Sequence, residues 1–421
     1  MQITTLCNGL RIILNKRDDL RSATVGVWVA AGSRYENDQN NGISHFIEHI
    51  VFKGSKKRTG YEIAEGMDEI GAHVNAYTTK NYTFFYTKAL DYQILKAADI
   101  LFDMLINPRL DEKDIETEKG VVIEEINMCE DDPDDVVYEL NEESVFRGCS
   151  LKKTILGTRE SVKSLTADMI RDYMKNYYLP ERMVVGISGN FDEKELTDKI
   201  LEYFSLLENK AMPLAETAVP FEKNAFALKT VQTEQTHIMM CFEGVALESE
   251  DLYALQLCMF ILGTGTSSML YQRIREQLGL VYSIDSWLGR YLGGGYIAVS
   301  MSLAPSSEEK AIKEVIKIIS EFCDTVTEKQ VATAKEKLIS SLIMSREQPQ
   351  SKFSSMGYNL LLLSKVIEDD EIIDEIKKVT LESLKTAAKK YLVLKDMSFT
   401  AVGKVKSEEE YRRIIDEARG K

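Results

Sequence analysis

Two of the four histidines in this 421-residue chain stand four positions apart with a carboxylate between them, in His45-Phe46-Ile47-Glu48-His49. On a helix such residues lie one above the other, so both imidazoles can reach one metal ion while Glu48 points toward the same side. The surrounding run NNGISHFIEHIVFKGS predicts that helix. Asn41 or Gly42 caps its start, Ile43, Phe46, Ile47, Ile50 and Val51 form an apolar face, and Gly54 stops it. Neutral imidazole suits Zn(II), but a catalytic zinc site takes three protein ligands and leaves the fourth position to water. A third ligand must therefore come from elsewhere. Taken alone, the five residues also fit a helix that merely carries two surface histidines.

A second helix is expected in NPRLDEKDIETEKGVVIEEINMCEDDPDD, where Asp111 caps a segment holding Glu118 and Glu125, seven residues or about two turns apart on one face. Glu124 lies beside Glu125, and an acidic solvated face is the plain alternative for all three. The order His-x-x-Glu-His together with this acidic helix resembles the pitrilysin and mitochondrial processing peptidase family of inverzincin zinc metallopeptidases, in its short two-domain bacterial form. The resemblance implies that Glu125, 76 positions after His49, is the third ligand, that Glu118 supports the site, and that Glu124 is a surface residue. It also implies one Zn2+ per chain and Glu48 as general base, taking a proton from an activated water and passing it to the leaving amine. The expected activity is that of a zinc endopeptidase acting on unfolded or short peptides.

Composition agrees. The length exceeds one typical hydrophobic core, so two domains are the default. Hydrophobic content of 44% and charged content of 28% are ordinary for a globular protein. With 52 basic against 67 acidic residues and a net charge of −15, the chain lacks the basic footprint that nucleic acid requires. The start, MQITTLCNGLRIILNKRDD, shows no signal-peptide pattern, and no apolar run is long enough for a membrane span. The six cysteines are scattered without Cys-x-x-Cys spacing and read as buried or incidental thiols, which points to a reducing, cytoplasmic setting.

The chain also repeats itself. At an offset of 214, Thr166 meets Thr380, Ile170 meets Leu384, Tyr177 meets Tyr391, Met183 meets Met397 and Gly189 meets Gly403. Each copy reads as a helix followed by a strand. The Pro-containing stretch around Pro213 and Pro220 has the composition of a linker, which puts the boundary near Glu216 and gives domains 1–215 and 216–421. Strands are expected at RSATVGVWVAAGS and QTHIMMCFEGV, and β-hairpins in 73–90 and 283–303. The predicted fold class is α+β, two homologous domains each with a mostly antiparallel sheet and helices packed on one face. At an offset of 216 Glu118 and Glu125 face Ala334 and Ser341, and at a looser offset of 208 His45, Glu48 and His49 face Tyr253, Gln256 and Leu257. Every metal-binding group is missing from the second copy.

The resemblance gives that second half a purpose, since in the family an active and an inactive domain face each other as a clamshell around the peptide. GTGTSSMLYQRIREQLGLVYSIDSW, from Gly263, is similar to the family's glycine-rich loop with its following helix and strand. This implies that Arg275 holds a substrate carbonyl and that the Tyr282 hydroxyl donates to the forming oxyanion. Asn75-Ala76-Tyr77 resembles the edge strand to which an extended peptide adds through backbone hydrogen bonds, and His73 is expected on the same hairpin's surface. Because long relatives fuse four domains, a two-domain chain implies a homodimer, with a heterodimer as the alternative. Asn81, Met269 and Ser150-Leu151-Lys152-Lys153 depart from the family pattern away from the expected ligands. A catalytically inactive scaffold or regulatory subunit of the same fold is the competing reading, and the intact His45, Glu48, His49 and Glu125 argue against it.

Overall fold

Runs of β-branched and aromatic residues become strands where the sequence predicts them. In the computed structural model, which describes residues 1–209 and 219–420, the first half of the chain gives β1 (Gln2–Thr5), β2 (Arg11–Lys16), β3 (Ser22–Val29), β4 (His73–Thr78), β5 (Thr83–Leu90) and β6 (Met183–Gly189). Among the described residues these form one sheet of order β1-β2-β6-β3-β5-β4, antiparallel except for the β2–β6 pair. The second half gives β7 (Phe226–Thr230), β8 (Thr236–Glu243), β9 (Ser283–Tyr291), β10 (Gly294–Leu303) and β11 (Ser398–Gly403), in the order β7-β11-β8-β10-β9, with β7–β11 parallel. Setting β1 aside, the two orders coincide strand for strand. The repeat is therefore a duplicated α+β topology. Its matched helices, Ala167–Tyr177 and Leu381–Tyr391, are capped by Thr166 and Thr380, and the strands that follow end on Gly189 and Gly403, both at positive φ.

The chain divides into two compact units that do not follow the sequence in two blocks. The first is built from Met1–Asn127, 153–209 and Met344–Ile367; the second from Met128–Lys152, 219–343 and 368–420. This differs from the contiguous halves 1–215 and 216–421, and the boundary expected at Glu216 lies outside the described residues. Each unit has taken a helix from the other half of the sequence, and the reason is burial.

In the first unit, Val25, Val27 and Val29 of β3 point into a core shared with Phe46, Ile47, Ile50, Ala97 and Leu101 of helices Ile43–Ile50 and Ile94–Ile106. The alternate residues, Gly26 and Trp28, face the other way. They are covered by the helix Pro349–Leu363, whose Phe353 packs 4.8 Å from the Trp28 ring, which also stacks 4.3 Å from Phe84. A Cβ on Gly357 of that helix would come within 2.3 Å of the indole, and one on Gly186 of β6 within 2.8 Å. Glycine at these two positions lets helix and sheet approach closely enough to enclose the tryptophan. In the second unit, Val136, Val137 and Val145 of the helix Pro133–Val145 bury Met239, Cys241, Ala298 and Val402 in the same way. The sequence reading put helices on one face of each sheet; the borrowed helices add a layer on the other, which is why the central strands read as continuously apolar.

All six cysteines are free thiols, with Cys241 and Cys258 buried. No described helix is long and apolar enough to cross a membrane.

Candidate metal centre

His45 and His49 lie on the helix Ile43–Ile50, which a 3-10 turn, Val51–Lys53, prolongs up to Gly54. Gly42 is the N-cap residue, at φ 92°, and a Cβ there would come within 2.5 Å of the Leu156 carbonyl oxygen. Neither it nor Asn41 caps the helix with a side chain. Glu36 does so instead: its carboxylate accepts from the Gly42 N–H at 2.7 Å, the Ser44 N–H at 2.9 Å and Asn41 Nδ2 at 2.9 Å. A buried anion at the positive end of the helix serves the orphan donors that the sequence reading assigned to Asn41 or Gly42. Burial raises the Glu36 carboxyl above its ordinary range, and these hydrogen bonds pull it back.

The far end of the same segment fixes where the second helix begins. The Gly54 carbonyl accepts from Arg109 N at 3.0 Å, and Lys56 N donates to the Asn107 carbonyl at 2.9 Å. Ser55 and Arg58 both donate to the buried Asp103 carboxylate, at 2.5 and 2.7 Å. The helix Glu112–Asp131 starts directly after this junction. It carries Glu118, 2% exposed, and Glu125, half-buried, toward the histidines, while Glu124 faces solvent.

Glu125 Oε2 lies 3.6 Å from His45 Nε2 and 3.6 Å from His49 Nε2. Among the described residues, His45, His49 and Glu125 are the group whose ligand atoms lie within 4.8 Å of one another; His73, exposed on β4, is not part of it. A tetrahedral Zn(II) with bonds of about 2.0–2.1 Å holds its ligand atoms roughly 3.3–3.4 Å apart. Two nitrogens and one carboxylate oxygen at these separations fit such an ion. Their protonation fits as well. His49 Nδ1 donates to Glu118 Oε1 at 2.8 Å, which leaves the Nε2 lone pair facing Glu125. Burial, with the nearby His49 charge, pushes the His45 imidazole down to about 4, so it is neutral at ordinary pH. Burial also acts to lower His49, but the Glu118 hydrogen bond and the charges of Glu125, Glu118 and Glu48 outweigh it and raise the ring. The two histidines are not equally supported, because His45 Nδ1 is buried with no hydrogen-bond partner among the described residues.

Glu48 lies outside this three-residue group. Its Oε2 accepts from the Thr78 hydroxyl at 2.6 Å, and burial raises its carboxyl above the ordinary range while that hydrogen bond opposes the shift. Thr78 went unnoticed in the sequence, although strand alternation could have found it. Val74, Ala76 and Thr78 share one face of β4, and His73, Asn75 and Tyr77 share the other. Asn75 and Tyr77 are exposed, Ala76 is buried, and β4 is an edge strand of its sheet. Glu36 and Lys53 were missed too, and nothing in local periodicity marks them.

Arg275 and Tyr282 belong to the second unit. Arg275 sits on a wide helical turn, Tyr271–Gln277; its Nε donates to the Tyr282 carbonyl at 2.9 Å, and its guanidinium bonds the Tyr271 hydroxyl and stacks on that ring. The Tyr282 side chain is 71% exposed. Asn81, one of the departures from the family pattern, is buried and accepts from Arg34 at 2.8 Å.

Comparison with known proteins agrees with this architecture. Residues 11–159 match the model of the insulinase family, peptidase family M16, and residues 164–338 match that of the peptidase M16 inactive domain. The uncharacterized zinc protease YmxG of Bacillus subtilis is 37% identical over 388 residues, covering 91% of this chain and 94% of that protein. The uncharacterized zinc protease SCO5738 of Streptomyces coelicolor is 32% identical over 421 residues, covering 97% and 91%. Solved structures share the fold: a protease from Helicobacter pylori has a TM-score of 0.87 at 19% identity, covering 96% of this chain and 99% of that one. A chain of complex III2 from Candida albicans has a TM-score of 0.85 at 20% identity, covering 99% of each. Fold and family models together put the chain in the peptidase class. It belongs to peptidase family M16, with the insulinase model on residues 11–159 and the inactive-domain model on residues 164–338.

Proposed function

We propose that this chain is a zinc endopeptidase that hydrolyses unfolded or short peptides. The observation that carries the reading is the convergence of His45, His49 and Glu125 at separations suited to one tetrahedral ion. The resemblance supplies the role of Glu48 in this reading. When bound, Zn(II) supplies a Lewis acid that makes water more acidic and polarises a carbonyl. The protein's own residues do the rest. Thr78 holds one Glu48 oxygen and leaves the other to accept a proton from water, while burial raises the carboxyl's proton affinity, which favours its carrying that proton to the leaving amine. A peptide adding to β4 would take its register from backbone hydrogen bonds, which give little sequence selectivity. The roles the resemblance gives Arg275 and Tyr282, as donors to the carbonyl oxygen, belong to the same proposal, as do a cytoplasmic setting and association of two copies.

Metal analysis together with cleavage of a quenched peptide, with and without chelator, tests this. Glu48→Gln should keep the metal and lose roughly 10²–10⁴ in kcat. His49→Ala should lose the metal itself. A metal-loaded chain that cuts no peptide in a mixed library would favour the scaffold role. Size measurement during turnover tests the dimer, and a monomer at full activity would remove that part.

A further inference from the structure

The carboxylate of Glu118 is shared between two groups. Oε1 accepts from His49 Nδ1 at 2.8 Å, and Oε2 takes the Lys53 ammonium at 2.7 Å. Lys53 ends the 3-10 turn that prolongs the histidine helix, so one short segment supplies a metal ligand and also the cation behind the carboxylate that orients it. We propose that Lys53 is a positioning residue of the metal centre, holding Glu118 so that Glu118 holds the His49 ring. This rests on the metal-binding reading above.

Three observations carry it. A ligating histidine is a neutral imidazole, so His49 cannot offset the charge of Glu118 once metal is bound. Glu118 is almost wholly buried, and a buried carboxylate left without its cation is strongly unfavourable. Lys53 is the cation paired with it. The ion pair at Oε2 opposes rotation of the carboxylate and favours Oε1 staying aimed at Nδ1. Finally, His45 has no hydrogen bond behind its ring, so ring orientation in this pair depends on the His49 side. One effect opposes the proposal, because a cation repels a dication. Lys53 contacts the Glu118 oxygen that His49 does not use, and its side chain is 42% exposed, where solvent and salt screen that repulsion. The positioning effect should prevail.

The test uses the full chain stripped of metal. Zinc affinity is measured by competition with a chromophoric chelator, and the cobalt-substituted chain is followed by its visible absorption. Lys53→Met should weaken zinc binding about 10-fold, the lower end of what loss of an outer hydrogen-bond partner costs. It should also alter the cobalt spectrum, which a remote structural role would not do. Lys53→Arg should recover most of the affinity, since a guanidinium also donates to a carboxylate. In a Glu118→Gln background, Lys53→Met should add nothing further. Should Lys53→Met alone fail to fold, Lys53→Gln, which is neutral but still able to donate to the carboxylate, takes its place in both backgrounds. Unchanged or tighter zinc binding by Lys53→Met, or an equal loss in the Glu118→Gln background, overturns the proposal while leaving the metal reading intact. A wild-type chain that binds neither zinc nor cobalt overturns both.

Discussion

Zinc binding to this chain should release close to one proton at about pH 5.5, where two free histidines would release nearly two. Burial and the His49 charge push His45 down to about 4, so at that pH its Nε2 is already free. His49 is raised instead, because its carboxylate neighbours outweigh its burial, and it enters the reaction protonated. Metal must therefore displace one proton, from His49. Affinity should rise tenfold per pH unit, about 1.4 kcal/mol, until His49 has titrated, and the hundredfold dependence of a two-proton site should appear only toward pH 4. Glu48 complicates the count, since burial also raises its proton affinity. The measurement therefore belongs in the Glu48→Gln chain. Calorimetric titration with zinc in two buffers of different ionisation enthalpy gives the number of protons released. A count near two at pH 5.5 would mean that burial does not keep His45 neutral. A count near zero would mean that Glu118 and its neighbours do not hold the proton on His49. Either result refutes the electrostatic account of the site.

Thr78→Val removes the hydroxyl that bonds Glu48 at 2.6 Å; kcat should fall about tenfold with zinc content unchanged, as expected for a hydrogen bond to a charged group worth roughly 1.5–3 kcal/mol. An unchanged kcat would show that Glu48 needs no such anchor. Gly357→Ala places a methyl within 2.3 Å of an indole already held between Phe84 and Phe353, so the first unit should lose about 1–3 kcal/mol or more of stability. In a Trp287→Phe background Trp28 alone reports the unfolding, and an unshifted transition would mean that the helix Pro349–Leu363 is not seated on this sheet.

Much of this protein is legible in one dimension because its determinants are local. The i, i+4 spacing of His45 and His49 puts both on one helical face wherever that helix is placed, and the apolar residues around them require the helix to be packed. Strand patterns predicted both hairpins, and the match of Tyr177 to Tyr391 and Gly189 to Gly403 gave the duplication that the two sheet orders repeat. Choosing Glu125 over Glu124 needed more than periodicity; adjacent residues on a helix point about 100° apart, and which of them meets the histidines depends on how the helix Glu112–Asp131 is docked. That docking comes from backbone hydrogen bonds between Gly54 and Arg109 and between Lys56 and Asn107, which side-chain patterns do not encode.

The partners Glu36, Thr78 and Lys53 were decided by tertiary structure for the same reason, since each acts across a turn or from another element. So was the exchange of helices. Sequence can state that Phe353 or Val136 must be buried, but apolar contact is non-directional and does not name the sheet that will cover it. Only the folded chain assigns each helix to its sheet, Pro349–Leu363 through the close fit of Gly186 and Gly357 around Trp28 and Pro133–Val145 through the packing of its valines on Met239, Cys241 and Val402.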